Sequence, residues 1–265
     1  MEECKKIRKR ILELAYNAGS NGSHLGGSLS AVEILFSLFD AKTTSFSVSD
    51  NNRDRLILSK GHAALALYCV LETFHILTKE EVDTFEKNGT SFFAHAKRTP
   101  SKGIDFSGGS LSLGISYAVG VALATRSQQS HSHIYVVVGD GECDEGLVWE
   151  AVMSACNYHL NNLTIIVDCN GLQSDGPTSE IMDHSPLTQK FQGFGCTVQV
   201  VNGHSVSELQ TAIQNKTTGG PNVIIANTVK GKGVSFMENQ ANWHHSTLNQ
   251  NLYEKALRDI DNGEI

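Results

Sequence analysis

One carboxylate and one side-chain amide, each set just after a short β-branched run, offer the most definite chemistry in this sequence. Both lie in residues 134–172, IYVVVGDGECDEGLVWEAVMSACNYHLNNLTIIVDCNGL. Asp140 stands between Gly139 and Gly141, and Asn170 follows 170 − 140 = 30 positions later. With the main-chain carbonyl of Leu172 they make three hard oxygen donors of the kind Mg²⁺ accepts, its roughly six positions being completed by phosphate oxygens and water. The two glycines let backbone approach a bulky anion, and a following helix would offer N-terminal amides to it. A phosphate bound together with a hard cation fits this pattern. Gly-Asp-Gly by itself is equally an ordinary turn after a strand; the asparagine at the end of the next strand is what argues for a site.

The elements that must position these groups can be read from the flanking residues. Ile134 to Val138 and Leu163 to Val167 are almost continuously apolar and too short for helices, which predicts buried parallel strands. Between them Leu147, Val148, Ala151, Val152 and Ala155 recur at helical spacing, so the unit is a βαβ crossover. Its two strands open their carboxyl ends on one edge, where open α/β sheets bind ligands. Asp140 and Asn170 are therefore expected to converge.

The remaining chain extends this pattern. Ile7, Ile11, Leu12, Leu14 and Ala15 predict an opening helix that stops near Gly19. The loop Ser20 to Gly27, containing His24, precedes a helix with apolar Val32, Ile34, Leu35, Leu38 and Phe39, for which Ser28 or Ser30 is the expected cap. Residues 53–71 predict a short strand, a Ser-Lys-Gly-His turn ending in His62, and a buried helix. TKEEVDTFEK, from Thr78, is a small capped helix, followed by a long loop, Asn88 to Ser107, that carries His95. Gly108 to Gly120 enters a helix through a Gly/Ser-rich turn suited to anion contact. After the polar loop Gly171 to Pro186 come strands at Cys196 to Val201 and Asn222 to Val229, with a helix from about Ser205 to Gln214 between them. A closing helix spans roughly Leu248 to Ile260.

At 265 residues the chain is long enough for one large α/β domain, expected to cover residues 1–265 with a mainly parallel central sheet flanked by helices. A formal net charge of −7 argues against nucleic acid or an anionic membrane as partner, so local groups must recruit any phosphate. The six cysteines contain no C-x-x-C pair and read as reduced thiols. Ile11 to Ala18 is too polar for a signal-peptide core, and no run of about 18 apolar residues is present. A cytoplasmic location is expected.

GDGECDEGLVWEA resembles the amino-terminal half of transketolases, within the wider Gly-Asp-Gly…Asn signature of thiamine diphosphate enzymes. Four further segments are similar in the same order: SHLGGSLSAVEIL, RDRLILSKGH, GGSLSLG and KGKGVSF with its following Trp243-His244. Three positions depart from the family pattern, Ser112 and His245 standing where glycine is usual and Leu113 where glutamine is usual. The resemblance implies that Asp140, Asn170 and Leu172 hold Mg²⁺ (or Ca²⁺ or Mn²⁺) against the cofactor's diphosphate. It further implies cofactor contacts at His62, Ser110, Leu111, Gly114, Gly139, Gly141, Glu142, Lys230 and His244. His24 and His244 would serve proton transfer, His62 and His95 would lie beside cofactor and donor, and Glu145 matches a glutamate between cofactor sites.

Family members transfer a two-carbon ketol unit from a ketose, often phosphorylated, to an aldose. Full-length ones continue into a pyrimidine-binding domain and a third domain. The chain ends before either, so the resemblance implies the first subunit of a split transketolase, completed by a pyrimidine-domain subunit in an α₂β₂ assembly. Two other readings are a 2-oxoacid dehydrogenase α-chain, against which SHLGGSLS, SKGH and KGKGVSF stand, and a non-catalytic cofactor-binding or regulatory subunit. Retention of Asp140, Asn170 and four histidines argues against the latter.

Overall fold

In the computed structural model, which describes residues 2–183 and 185–263, five strands form one all-parallel sheet. They are β1 Arg55–Leu58, β2 Ile134–Gly139, β3 Leu163–Cys169, β4 Thr197–Asn202 and β5 Asn222–Asn227, in the order β1-β2-β3-β5-β4. The helices are α1 Glu2–Asn17, α2 Gly26–Ser30, α3 Val32–Asp40, α4 Ala64–Thr73, α5 Lys79–Val82, α6 Leu113–Ser127, α7 Gly146–Asn157, α8 Thr178–Ile181, α9 Leu187–Gly193, α10 Val206–Gln214 and α11 Gln250–Asn262.

All six residues of β2 are buried because both faces of the sheet are covered. Tyr135 and Val137 join the layer built by α1, α3, α4, α10 and α11, while Ile134, Val136 and Val138 join the layer of α6, α7 and α9. Alternate strand residues point to opposite faces, so a strand sandwiched in this way must be apolar at every position. Each fully buried Val or Ile contributes about 1.5–3 kcal/mol, which makes β2 and its neighbour β3 the firmest platform in the chain. Gly139 pairs with Asp168 at the end of that ladder, bringing the residues that follow both strands to one edge. β4, by contrast, is largely accessible, with Val200 53% exposed.

Several local expectations need correction. Neither Ser28 nor Ser30 is a cap: α2 starts earlier, at Gly26, and both serines are buried inside it. Ser30 spends its hydroxyl on the Gly27 carbonyl and on Asp168. The α-helix after Asp140 begins only at Gly146, the intervening Gly141–Asp144 being a 3₁₀ turn. The loop from Gly171 contains the single turn α8, and α9 follows it; both were too short to display a helical period. α5 has its full capping box, Thr78 accepting from Glu81 N and Glu81 from Thr78 N. All six cysteines are free, with the sulfurs of Cys156 and Cys196 3.3 Å apart. Among the described residues, no helix is long and apolar enough to cross a membrane.

Candidate active site

The edge formed by the ends of β1, β2 and β3 carries a cleft of about 220 Å³. Asp140 and Asn170 lie in its wall together with Gly139, Gly141, Glu142 and Leu172. Asp140 accepts from Gly141 N at 2.9 Å and Gly171 N at 2.5 Å, which ties the turn after β2 to the turn after β3. Asn170 Oδ1 accepts from Leu172 N at 3.1 Å. The Leu172 and Gln173 carbonyls accept from the Lys230 ammonium at 3.1 and 3.0 Å. Burial, and after it the charge of Asp168, raises the pKa of Asp140 against the hydrogen bonds that lower it. A nearly buried carboxylate in that position calls for a cation, and the adjacent donors are all hard oxygens. Carboxylate, amide oxygen and carbonyl therefore fit Mg²⁺ or a similar ion.

Opposite stand the imidazoles. His24 has ring centroids of His62, His95 and His244 at 5.9, 5.0 and 5.4 Å, and His62 lies 5.0 Å from His244. All four line the cleft, although they come from four separated segments. Burial, followed by neighbouring imidazoles and by Lys230, depresses the pKa of His24 to about 3. Burial, then Lys230 and Lys60, takes His244 to about 4. His62 is held well below its usual value and His95 is lowered, burial being the main cause in both. At neutral pH these rings are uncharged, each with one N–H donor and one acceptor nitrogen. His24 Nδ1 is buried without a hydrogen-bond partner, and His244 Nδ1 is 3.1 Å from Lys230 Nζ. A buried ring nitrogen without a partner is an unmet hydrogen-bonding demand beside the cleft.

Two groups missed by the sequence reading hold this arrangement in place. Asp168, the penultimate residue of β3, is fully buried and ion-paired with Lys60 of the Ser-Lys-Gly-His turn. It also accepts from Ser30 at 2.7 Å and from Thr228, so one carboxylate links α2, the β1 turn and the end of β5. Burial would raise its pKa, but Lys60 and these hydrogen bonds reverse the sign and the net shift is downward. A single acid inside the otherwise apolar LTIIVDC run was the signal available for it.

Glu142, expected at the cofactor, lines the cleft but is bound by protein donors. It accepts from Ser59 Oγ, Ser112 N at 2.7 Å and Gly139 N at 3.1 Å. The Ser112 amide at the start of α6 is thus taken by a carboxylate. Gly114 packs closely on Ser59: a Cβ on it would stand 2.5 Å from Ser59 Oγ and 2.6 Å from Ser59 Cα. Leu111 and Gly109 reach the cleft, whereas Ser110, Gly114 and Glu145 are not among its lining residues. Glu145 is exposed at the N-cap of α7.

A family model described as "Transketolase, thiamine diphosphate binding domain" matches residues 4–259. The chain is 38% identical over 263 residues to a 6-deoxy-6-sulfo-D-fructose transketolase subunit (SqwG) of Clostridium sp., covering 98% of this chain and 95% of that protein. It is 35% identical to an apulose-4-phosphate transketolase subunit of Phocaeicola vulgatus, with 97% and 92% covered. Human transketolase is 32% identical, but the match takes in only 41% of its length. Among solved structures, a Pichia stipitis transketolase in complex with sedoheptulose 7-phosphate superposes with a TM-score of 0.86 at 27% identity, over 97% of this chain and 40% of that one.

Proposed function

The chain belongs to the transketolase family, as its thiamine diphosphate-binding domain, and from that premise we propose that it is the N-terminal subunit of a two-chain transketolase. It moves a two-carbon ketol unit from a ketose to an aldose, one or both phosphorylated, together with a pyrimidine-domain subunit in an α₂β₂ assembly. The observation that carries this reading is one cleft in which hard oxygen donors at the ends of β2 and β3 face four neutral histidines. The match to proteins named as subunits over more than 90% of their length supports the two-chain arrangement. The residues 1–265 act as one domain, and the free cysteines suit a reducing compartment, the cytoplasm.

Asp140, Asn170 and the Leu172 carbonyl would hold Mg²⁺, Ca²⁺ or Mn²⁺, and Gly139, Gly141, Leu111 and Lys230 of the same cleft would take the diphosphate. When bound, thiamine diphosphate supplies the electron sink for cleaving the carbon–carbon bond next to a ketose carbonyl. His62 orients the cofactor and, with His95, the hydroxyl of the transferred unit. His24 and His244 accept and return the proton of the substrate hydroxyl at the bond being broken, a task for imidazoles uncharged at working pH. Lys230, beside His244 Nδ1, disfavours a second charge there. Glu145, exposed on α7, faces the equivalent site of a second copy.

Calorimetric titration of thiamine diphosphate with Mg²⁺ into the assembled protein tests the assignment of the oxygen donors. Asp140→Ala should abolish Mg²⁺-dependent binding while the assembly survives. Unchanged affinity would remove Asp140 from the site.

A further inference from the structure

His245 stands where the family pattern has glycine, and its surroundings hold it in place. Ser23 N donates to Ser246 O at 2.9 Å and Ser246 N to Ser23 O at 3.1 Å, an antiparallel bridge that locks the His24 loop to the His244–His245 segment. The bridge sets the His245 ring T-shaped on that of His24, with centroids 4.6 Å apart. Beneath the ring lies Gly22, at φ +68, where a Cβ would come within 2.8 Å of His245 Cε1. Only glycine offers both that backbone conformation and that space. Unlike His24 and His244, His245 is exposed and does not line the cleft. It is an exposed imidazole packed edge-on against His24, which itself lines the cleft.

We infer that His245 is a specificity-determining residue, hydrogen-bonding the sugar chain beyond the carbon–carbon bond that is made or broken. The inference rests on the transketolase reading. If His24 works at the reacting hydroxyl, the exposed ring packed against it is placed to meet a substrate that extends out of the cleft. A two-carbon aldehyde ends before reaching it, whereas aldoses of three to five carbons present hydroxyls or a terminal phosphate to its N–H. His245 thereby favours longer, hydroxylated acceptors.

The test uses the assembled holoenzyme and aldehyde acceptors of two to five carbons, each longer one with and without terminal phosphate, under a fixed ketose donor. Three variants separate the ring from its polar atoms: His245→Gly removes both, His245→Phe keeps the stacking on His24, and His245→Gln keeps a hydrogen-bonding group. Gly and Phe should lower kcat/KM for the longer acceptors about fivefold relative to glycolaldehyde, the loss expected of one hydrogen bond. The change should fall on KM, and Gln should restore most of it. A uniform change across all acceptors, no change, or rescue by Phe but not Gln would overturn the inference and leave the transketolase reading intact. A wild-type assembly that transfers no two-carbon unit to any acceptor would instead strike that reading, and this inference with it.

Discussion

Replacing Asp168 with alanine should be among the most damaging single changes in the chain, although the residue does not line the cleft. The substitution leaves the Lys60 ammonium, 1% exposed, with the Gly27 carbonyl as its remaining partner at 3.2 Å. It also removes the acceptor of the Thr228 hydroxyl and one of the two that Ser30 reaches. Breaking a buried pair from one side costs about 3–5 kcal/mol, because the surviving charge is uncompensated. That is a large part of the roughly 5–15 kcal/mol that holds a typical domain folded. With a urea slope of about 3 kcal/mol/M, the midpoint should fall by about 1–1.7 M. Removing the stranded charge as well, in Lys60→Met with Asp168→Ala, should recover at least about 2 kcal/mol. The folded-state pKa of Asp168 is lowered, so its contribution is complete above the unfolded value near 3.9 and is lost as pH falls through the folded value. The gap between wild type and Asp168→Ala should therefore be flat from pH 7 to 5 and narrow in stronger acid. A single variant within about 1 kcal/mol of wild type, or a double variant no more stable than the single, would refute this account of the network.

Two further perturbations probe the walls of the cleft. Gly114→Ala lies within α6, where helix propensity alone favours alanine by about 1 kcal/mol. The Cβ would instead meet Ser59 backbone at 2.6 Å, so a loss of about 1–3 kcal/mol is expected in urea unfolding, and any stabilisation would contradict the observed packing. Acid should weaken the fold through His24 and His244, whose folded pKa values of about 3 and 4 lie below the unfolded 6.5. Below pH 6.5 the unfolded chain binds protons that the folded one refuses, so stability is present above that pH and declines as pH falls. After discounting for partial exposure, the two together should cost about 1–2 kcal/mol between pH 7 and 5.5. The combined alanine variant should flatten that slope, and an unchanged slope would show that these rings do not carry it.

How much of this was legible in the sequence depended on how local each signal was. β2 and β3 are strands buried on both faces, so apolar composition alone identified them, and the pairing of Gly139 with Asp168 then places Asp140 and Asn170 on one edge. The histidines come from loops at 24, 62, 95 and 244, with no periodicity to relate them; only the resemblance linked them, and the fold brings them within 6 Å of His24. The Lys60–Asp168 pair spans 108 positions. A buried ion pair of that separation follows from tertiary packing and leaves only an unexplained acid in an apolar run. The partners of Glu142 were hidden for a related reason: Ser59 and Ser112, which donate to it, are remote in sequence.

The most direct measurement is two-carbon transfer by the purified chain before and after mixing with a pyrimidine-domain subunit. On the two-chain reading the partner completes the cleft, so the chain by itself should bind thiamine diphosphate weakly and transfer nothing. Equimolar mixing should produce tight cofactor binding and ketol transfer together, saturating at one partner per chain. Full transfer activity from the homogeneous chain alone, or none from the mixture despite stable assembly, would contradict its assignment as one half of a two-chain transketolase.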